Sequence, residues 1–208
     1  MIGGTRDDDR FAPLLADPTV QKIRAGLDGH RPVPADDEEG IRRAAVALIF
    51  RLGHEQRLEL LLIKRAEYAG DPWSGQIAFP GGREEPGDES LAETASRETR
   101  EETGIDLSRD GLILGRLDDL RPRTVRLPPI VVRPFVAILD RNEPLELSAE
   151  VALAFWVPFG ALAHTESWGD ETVFARGIQI NARVFRHQDH MVWGMTERIM
   201  TQLLSLID

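Results

Sequence analysis

The stretch over residues 79–105, FPGGREEPGDESLAETASRETREETGI, constrains this chain more than any other. Ser90 followed three positions later by Glu93 is a capping box, a pattern that satisfies two orphan amides at a helix start, and Gly104 stands where a left-handed cap ends one. The pattern predicts a helix over residues 91–103. At about 100° per residue, Glu98, Glu101 and Glu102 share an arc of about 100°, so three carboxylates converge on one patch. Such a patch repels itself unless cations fill it, and hard divalent ions such as Mg²⁺ take oxygen ligands while keeping waters and substrate phosphates as the rest. Arg97 lies one turn before Glu101, placed to hold that carboxylate. Ala92, Ala95, Ser96, Thr99 and Thr103 form a small-residue face on roughly the opposite side, which lets the helix sit close to a sheet. Gly81 and Gly82 allow a backbone carbonyl to turn toward the acids, a conformation that a side chain hinders. A solvated acidic helix is the competing reading of a run such as RETREE, and the glycines and the cap weigh against it.

Around this segment the apolar pattern is that of short buried strands, at residues 44–50 and 58–63 with a turn at Gly53, and at 76–79, where Pro80-Gly81-Gly82 ends the third. Further strands are expected at 111–116, 130–139, 152–157, 172–174 and 183–185. A short helix is expected at 159–164 and a last one at 196–207, with Ile199, Leu203, Leu204 and Ile207 on one face. Strands and helices interleave without a regular βαβ alternation, so the expected class is α/β with a mixed sheet and helices on both faces. Residues 17–27 are helix-compatible, and 29–40, with two prolines and four acids, read as a linker. The domain expectation is therefore an N-terminal appendage over 1–40 and a main domain over 41–208.

The formal net charge of −10 argues against nucleic acid as a partner, because phosphate backbones demand a basic footprint. The chain has no cysteine, so its chemistry rests on oxygen and nitrogen groups. With no long apolar run, and acids rather than a basic leader near the N-terminus, the expectation is a cytoplasmic protein without a membrane partner. The histidines at 54, 164, 187 and 190 show no ligand spacing with the acids and read as surface.

The acidic segment resembles the Nudix box: Gly, five residues, Glu, seven residues, then Arg-Glu-apolar-any-Glu-Glu-any-Gly-apolar. The second half is matched by Arg97 to Ile105, with Thr99 at the usually apolar position. The loop from Gly82 is one residue longer than the pattern, so either Glu89 or Asp88 is the first acid. The register of the cap favours Glu89. The resemblance implies a Nudix-type α/β/α sandwich, Mg²⁺ or Mn²⁺ as cofactor, and Glu98, Glu101 and Glu102 as metal ligands, helped by the Gly82 carbonyl and Glu89. Arg97 is the orienting residue.

Residues 61–66 (LLIKRA), 74–82 (SGQIAFPGG) and 192–199 (VWGMTERI) are similar to the coenzyme A pyrophosphatase branch of that superfamily. That branch usually has an arginine between Ala66 and Gly75; here there is none and the spacing is one residue longer. The resemblance implies hydrolysis of coenzyme A or acyl-coenzyme A to 3′,5′-ADP and (acyl-)4′-phosphopantetheine. ADP-ribose, a nucleotide sugar or a dinucleoside polyphosphate is the alternative substrate. A non-catalytic nucleotide sensor is disfavoured because all three box acids remain, and an isopentenyl diphosphate isomerase because its branch uses a cysteine. Arg65, together with Arg121, Arg123 and Arg126 in a locally basic stretch from Arg116 to Arg133, is a candidate for gripping substrate phosphates. Glu150, just before the strand at 152–157, is the candidate general base. Trp73, Phe155 and Trp193 are able to stack an adenine, although aromatics beside strands read first as core. The expected partner is a small nucleotide-diphosphate molecule, and the reading leaves room for a homodimer.

Overall fold

Alternation along the central strand decides which helix covers which face. In the computed structural model, which describes residues 9–35, 40–122, 127–140, 144–175 and 177–207, strand β1 (Arg42–Leu52) forms that axis. Successive strand side chains point to opposite faces. Ala45, Ala47 and Ile49 accordingly enter one apolar cluster, while Leu48 and Phe50 enter another. β1 runs parallel to β6 (Ile130–Leu139) and antiparallel to β2 (Leu58–Arg65) and β4 (Gly81–Arg83). β3 (Ile77–Ala78) and β7 (Val151–Pro158) pair with β2, and β5 (Gly111–Arg116) with β6, completing a mixed seven-stranded sheet.

The helices are α1 (Ala12–Ala16), α2 (Pro18–Gly29), α3 (Leu91–Thr103), α4 (Leu107–Asp110), α5 (Phe159–Leu162) and α6 (Met195–Ser205). α3 sets Leu91 and Ala95 among Ala45, Ala47, Leu61 and Ala137 on one face. On the other face, Val20, Ile23 and Leu27 of α2 and Ile199, Met200 and Leu203 of α6 pack with Leu48, Phe50, Leu60 and Leu62. The result is an α/β/α sandwich with a mixed sheet, as the interleaved pattern implied.

Several elements differ from expectation, among them the short helices α1 and α4, which no pattern announced. The chain does not leave the sheet at Pro80-Gly81-Gly82 but pairs again with β1 as β4. Glycine makes this possible: Gly81 has φ +146°, and a Cβ there would collide with the Ala45 carbonyl. The strands expected at 172–174 and 183–185 extend into a hairpin of β8 (Trp168–Ala175) and β9 (Ile178–His187), and β10 (His190–Trp193) adds a strand where none was expected. Outside the buried Val173, Val184 and Phe185 much of β8 and β9 is exposed, so the apolar pattern reveals only their inner stretches; the ladder and the Glu171–Arg186 ion pair hold the rest of the hairpin.

Asp17 caps α2 by accepting from the N–H groups of Thr19 and Val20 at 2.8 and 3.1 Å. At its other end α2 meets the C-terminus, where a Cβ on Gly26 would lie 2.5 Å from the Leu206 carbonyl oxygen. Helix propensity alone favours alanine there by about 1 kcal/mol. We therefore expect Gly26→Ala to destabilise by about 1–3 kcal/mol through overpacking, while Gly29→Ala, which meets nothing within 4 Å, does not. Urea unfolding of the two variants checks this, and equal midpoints would contradict the packing of α2 on the C-terminus.

Candidate active site

Helix α3 forms with the predicted limits. Ser90 Oγ accepts from the Glu93 N–H at 3.2 Å, and Gly104, at φ 76°, closes the other end by donating to the Arg100 carbonyl. The Glu93 carboxylate reaches back to the Glu89 N–H at 2.6 Å rather than to that of Ser90. The buried side of the helix carries Leu91, Thr94, Ala95, Thr99 and Thr103, and with them Glu102.

Glu102 is only 3% exposed. Its Oε2 accepts the Gly81 N–H at 2.9 Å, and its Oε1 lies 3.6 Å from Arg65 Nη1. Burial pushes its pKa up to about 7, against the opposing pull of the Gly81 N–H and Arg65. Glu98 is raised as well, again chiefly by burial, and its carboxyl group rests against Gly82, where a Cβ would overlap it. The charges of Glu98 and Glu150 add to the upward push on Glu102. The glycine pair thus serves the acids by bringing one N–H to Glu102 and leaving room for Glu98.

These three acids line one cleft of about 640 Å³. Its charged end holds Glu98, Glu102, Glu150, Arg65 and the backbone of Gly81 and Gly82. Its other end is apolar, formed by Ala44, Val46, Trp73, Ile130, Val132 and Met195. Thr196 fastens α6 to the cleft wall, its Oγ1 donating to the Ile77 carbonyl at 3.0 Å.

Glu101 turns outward to Arg97 Nη1, at 3.3 Å. Arg97 is the hub of the adjoining loop: it donates to both oxygens of Asp88 at 2.9 and 3.0 Å, to Glu98 at 3.1 Å and to the Arg83 carbonyl at 2.9 Å. Asp88 also accepts from Thr94 Oγ1 and the Glu85 N–H. The Arg97 hydrogen bonds, foremost among these, hold the Asp88 carboxyl well below the usual carboxylate range. Glu89 is exposed and forms no side-chain hydrogen bond among the described residues. Also among the described residues, no group of three acids or histidines stands ready-made to hold a metal ion.

Arg65 lines the cleft, its guanidinium shared between Glu102 and Asp71. Arg121 lies outside the cleft lining, and its carbonyl accepts from Arg198. Arg133 is bound by Asp119 at 2.7 and 2.8 Å, while Arg123 and Arg126 lie outside the described residues. Of the aromatic candidates Trp73 lines the cleft, whereas Phe155 stacks on His190. Sequence reasoning missed Asp71 and the apolar wall from β1 and β6. Nothing local marks Ile130 or Val132 as anything but core, and only the parallel pairing of β6 with β1 brings them to the cleft.

The raised pKa of Glu102 has a consequence for stability. A carboxyl whose folded pKa exceeds its ordinary value of 4.5 stabilises fully below that value and loses the contribution as pH rises through about 7. Cation-free protein is therefore expected to lose about 3 kcal/mol of stability between pH 4.5 and 7.5 from this group, and saturating Mg²⁺ to restore more at pH 7.5 than at pH 5. Melting curves across that range, with and without Mg²⁺, check this; a Mg²⁺ effect independent of pH would contradict it.

The family to which the chain is matched is one of hydrolases acting on phosphorus-containing acid anhydrides. The NUDIX domain family model matches residues 41–176, and the chain belongs to the Nudix hydrolase family. It is 35% identical over 148 residues to the uncharacterized Nudix hydrolase NudL of Photorhabdus laumondii, a match covering 71% of this chain and 76% of that protein. It is 34% identical over 138 residues to the human mitochondrial coenzyme A diphosphatase NUDT8, covering 64% of this chain and 56% of that one. A solved C. elegans Ap4A hydrolase complex overlays with a TM-score of 0.49 at 23% identity, over 61% of this chain and 89% of the other. The enzyme is a Nudix pyrophosphohydrolase of nucleoside-diphosphate-linked substrates, and Nudix hydrolases generally use divalent metals. Among the described residues no helix is long and apolar enough to cross a membrane.

Proposed function

We propose that the enzyme hydrolyses the diphosphate of coenzyme A or acyl-coenzyme A, releasing 3′,5′-ADP and (acyl-)4′-phosphopantetheine, with Mg²⁺ or Mn²⁺ held by Glu98, Glu101 and Glu102. The observation that carries the reading is the division of the cleft into a carboxylate end and an apolar end. A diphosphate placed at the first leaves an aromatic base or an uncharged arm for the second. The coenzyme A diphosphatase named among the relatives supports that choice of substrate.

The donors suit a hard cation. Glu98 and Glu102 are oxygen ligands, withdrawn from water and repelling each other, and the nearest cation to Glu102 is 3.6 Å away. Glu101 joins them by turning from Arg97, and the Gly82 carbonyl and exposed Glu89 are further donors in this proposal. A bound divalent ion there supplies charge stabilisation for the diphosphate and acidifies water. Arg97 holds Glu98 in place. Glu150, exposed at the cleft, accepts the proton of the attacking water. Arg65, Arg121, Arg123 and Arg126 are proposed phosphate contacts. The hydrolase domain in this reading spans residues 41–208, the appendage residues 1–40, and the setting is the cytoplasm.

One observation favours a different nucleoside diphosphate such as ADP-ribose. The loop that carries an arginine in the coenzyme A branch here carries Asp71, which occupies Arg65 instead. Incubating the enzyme with coenzyme A and Mg²⁺ and separating the products tests the proposal: 3′,5′-ADP and 4′-phosphopantetheine in equal amounts, abolished by EDTA, are expected. Intact coenzyme A, where ADP-ribose is cleaved under the same conditions, would overturn it.

A further inference from the structure

The loop between β2 and β3 carries a charged relay that the box residues do not explain. Asp71 Oδ2 accepts from Arg65 Nη2 at 3.1 Å and Nε at 3.3 Å, while its Oδ1 accepts the Trp73 N–H at 3.0 Å. With both oxygens engaged, the aim of the Asp71 carboxylate is set by the loop. The third guanidinium nitrogen of Arg65, Nη1, faces Glu102 Oε1 at 3.6 Å, within ion-pair range yet beyond hydrogen-bond length. Arg65 therefore divides its charge between two carboxylates and sits closer to the one in the loop. The loop itself is built from short turns, with Asp71 N–H donating to the Tyr68 carbonyl and Ser74 N–H to that of Asp71, and it places Trp73 on the cleft wall.

From this geometry we infer that Asp71 is a positioning residue that holds Arg65 back from Glu102 and so keeps that carboxylate available to a divalent cation. The inference rests on the reading of Glu102 as a cation ligand. Arg65 and a cation compete for the same oxygen, because the positive charge of either satisfies Glu102 and the presence of both beside it is repulsive. Without the Asp71 charge, Glu102 is the one acidic partner left to the Arg65 guanidinium among the described residues, and Arg65 closes on it. Cation binding then has to displace a tightened ion pair. Asp71 lies in the same lengthened segment that lacks the arginine of the coenzyme A branch, and here the segment acts on Arg65.

The relay predicts a sign reversal that a purely structural loop residue does not produce. Mn²⁺ binding to the full chain, measured without substrate from the electron paramagnetic resonance signal of free Mn²⁺, is expected to weaken about three- to tenfold in Asp71→Asn. Arg65→Gln should bind Mn²⁺ at least as tightly as wild type, and the double variant Asp71→Asn/Arg65→Gln should match Arg65→Gln, not Asp71→Asn. Unchanged affinity in Asp71→Asn, or a double variant as weak as Asp71→Asn, would overturn the inference while leaving the cation site standing. Wild-type protein that leaves Mn²⁺ free, or Glu102→Gln protein that binds it as wild type does, would overturn the cation site and the relay together.

Discussion

Glu102→Gln is expected to lower kcat at saturating Mg²⁺ by at least about a hundredfold while leaving the fold intact. The amide is nearly isosteric with the carboxylate, and its oxygen still accepts the Gly81 N–H that Glu102 accepts at 2.9 Å. What is lost is a negative charge in a site where Glu102 is only 3% exposed and water screens it poorly. Removing a charge that burial disfavours should leave the cation-free protein at least as stable as wild type near neutral pH. The combination of lost turnover and retained or raised melting temperature separates a ligand from a packing residue. Glu101→Gln should show a loss of the same order, although its side chain turns toward Arg97. Turnover within threefold of wild type in both variants would remove the assignment of these acids to the cation.

Arg97→Ala is expected to cost about 3 kcal/mol of stability, because it strips a nearly enclosed carboxylate of its cation. Asp88 has a side chain only 4% exposed and receives two of the Arg97 hydrogen bonds. Asp88→Asn should destabilise too, and the double variant Asp88→Asn/Arg97→Ala by less than the sum, as members of one network do. The pair also sets an acid limit. A depressed carboxyl pKa gives stability that is fully present above the ordinary value of 3.8 and is lost only as pH falls well below it. Glu89→Gln, by contrast, should change stability by less than about 0.5 kcal/mol, since the side chain is exposed. Urea unfolding of the four variants at pH 7 makes the comparison, and an Arg97→Ala midpoint equal to wild type would refute the network.

How far the sequence could be read depended on the range of each interaction. Helix α3 was legible from end to end because its signals are local: the Ser90 cap, the Gly104 stop and the spacing of the acids. The strands over 44–50 and 130–139 were legible because both faces are largely buried and the runs are apolar, broken only by Arg133 and Pro134 in the second. Strand β4 was not, since its pairing depends on how closely Gly81 approaches Ala45, a contact 36 positions away in the chain. Of β8 and β9 only the inner stretches at 172–174 and 183–185 were legible, where Val173, Val184 and Phe185 are buried, and the four-residue β10 was too short to show a period. Within the site, Glu98, Glu102, Glu150 and Arg65 come to the same cleft, while Arg97 proves to bind Asp88 more closely than Glu101. That preference follows from the fold of the loop over residues 83–89, whose extra residue no spacing rule could place. The Asp71–Arg65 contact was hidden for a related reason: an aspartate in a turn reads as turn chemistry until its partner is known.

The most direct test of the proposed activity is the ratio of kcat/KM for coenzyme A to that for ADP-ribose, measured in the same Mg²⁺ buffer with dephospho-coenzyme A as the reference lacking the 3′-phosphate. Coenzyme A or an acyl derivative is expected to be the better substrate. A preference for ADP-ribose over both coenzyme A forms by about tenfold or more, roughly 1.4 kcal/mol in transition-state stabilisation, would contradict it.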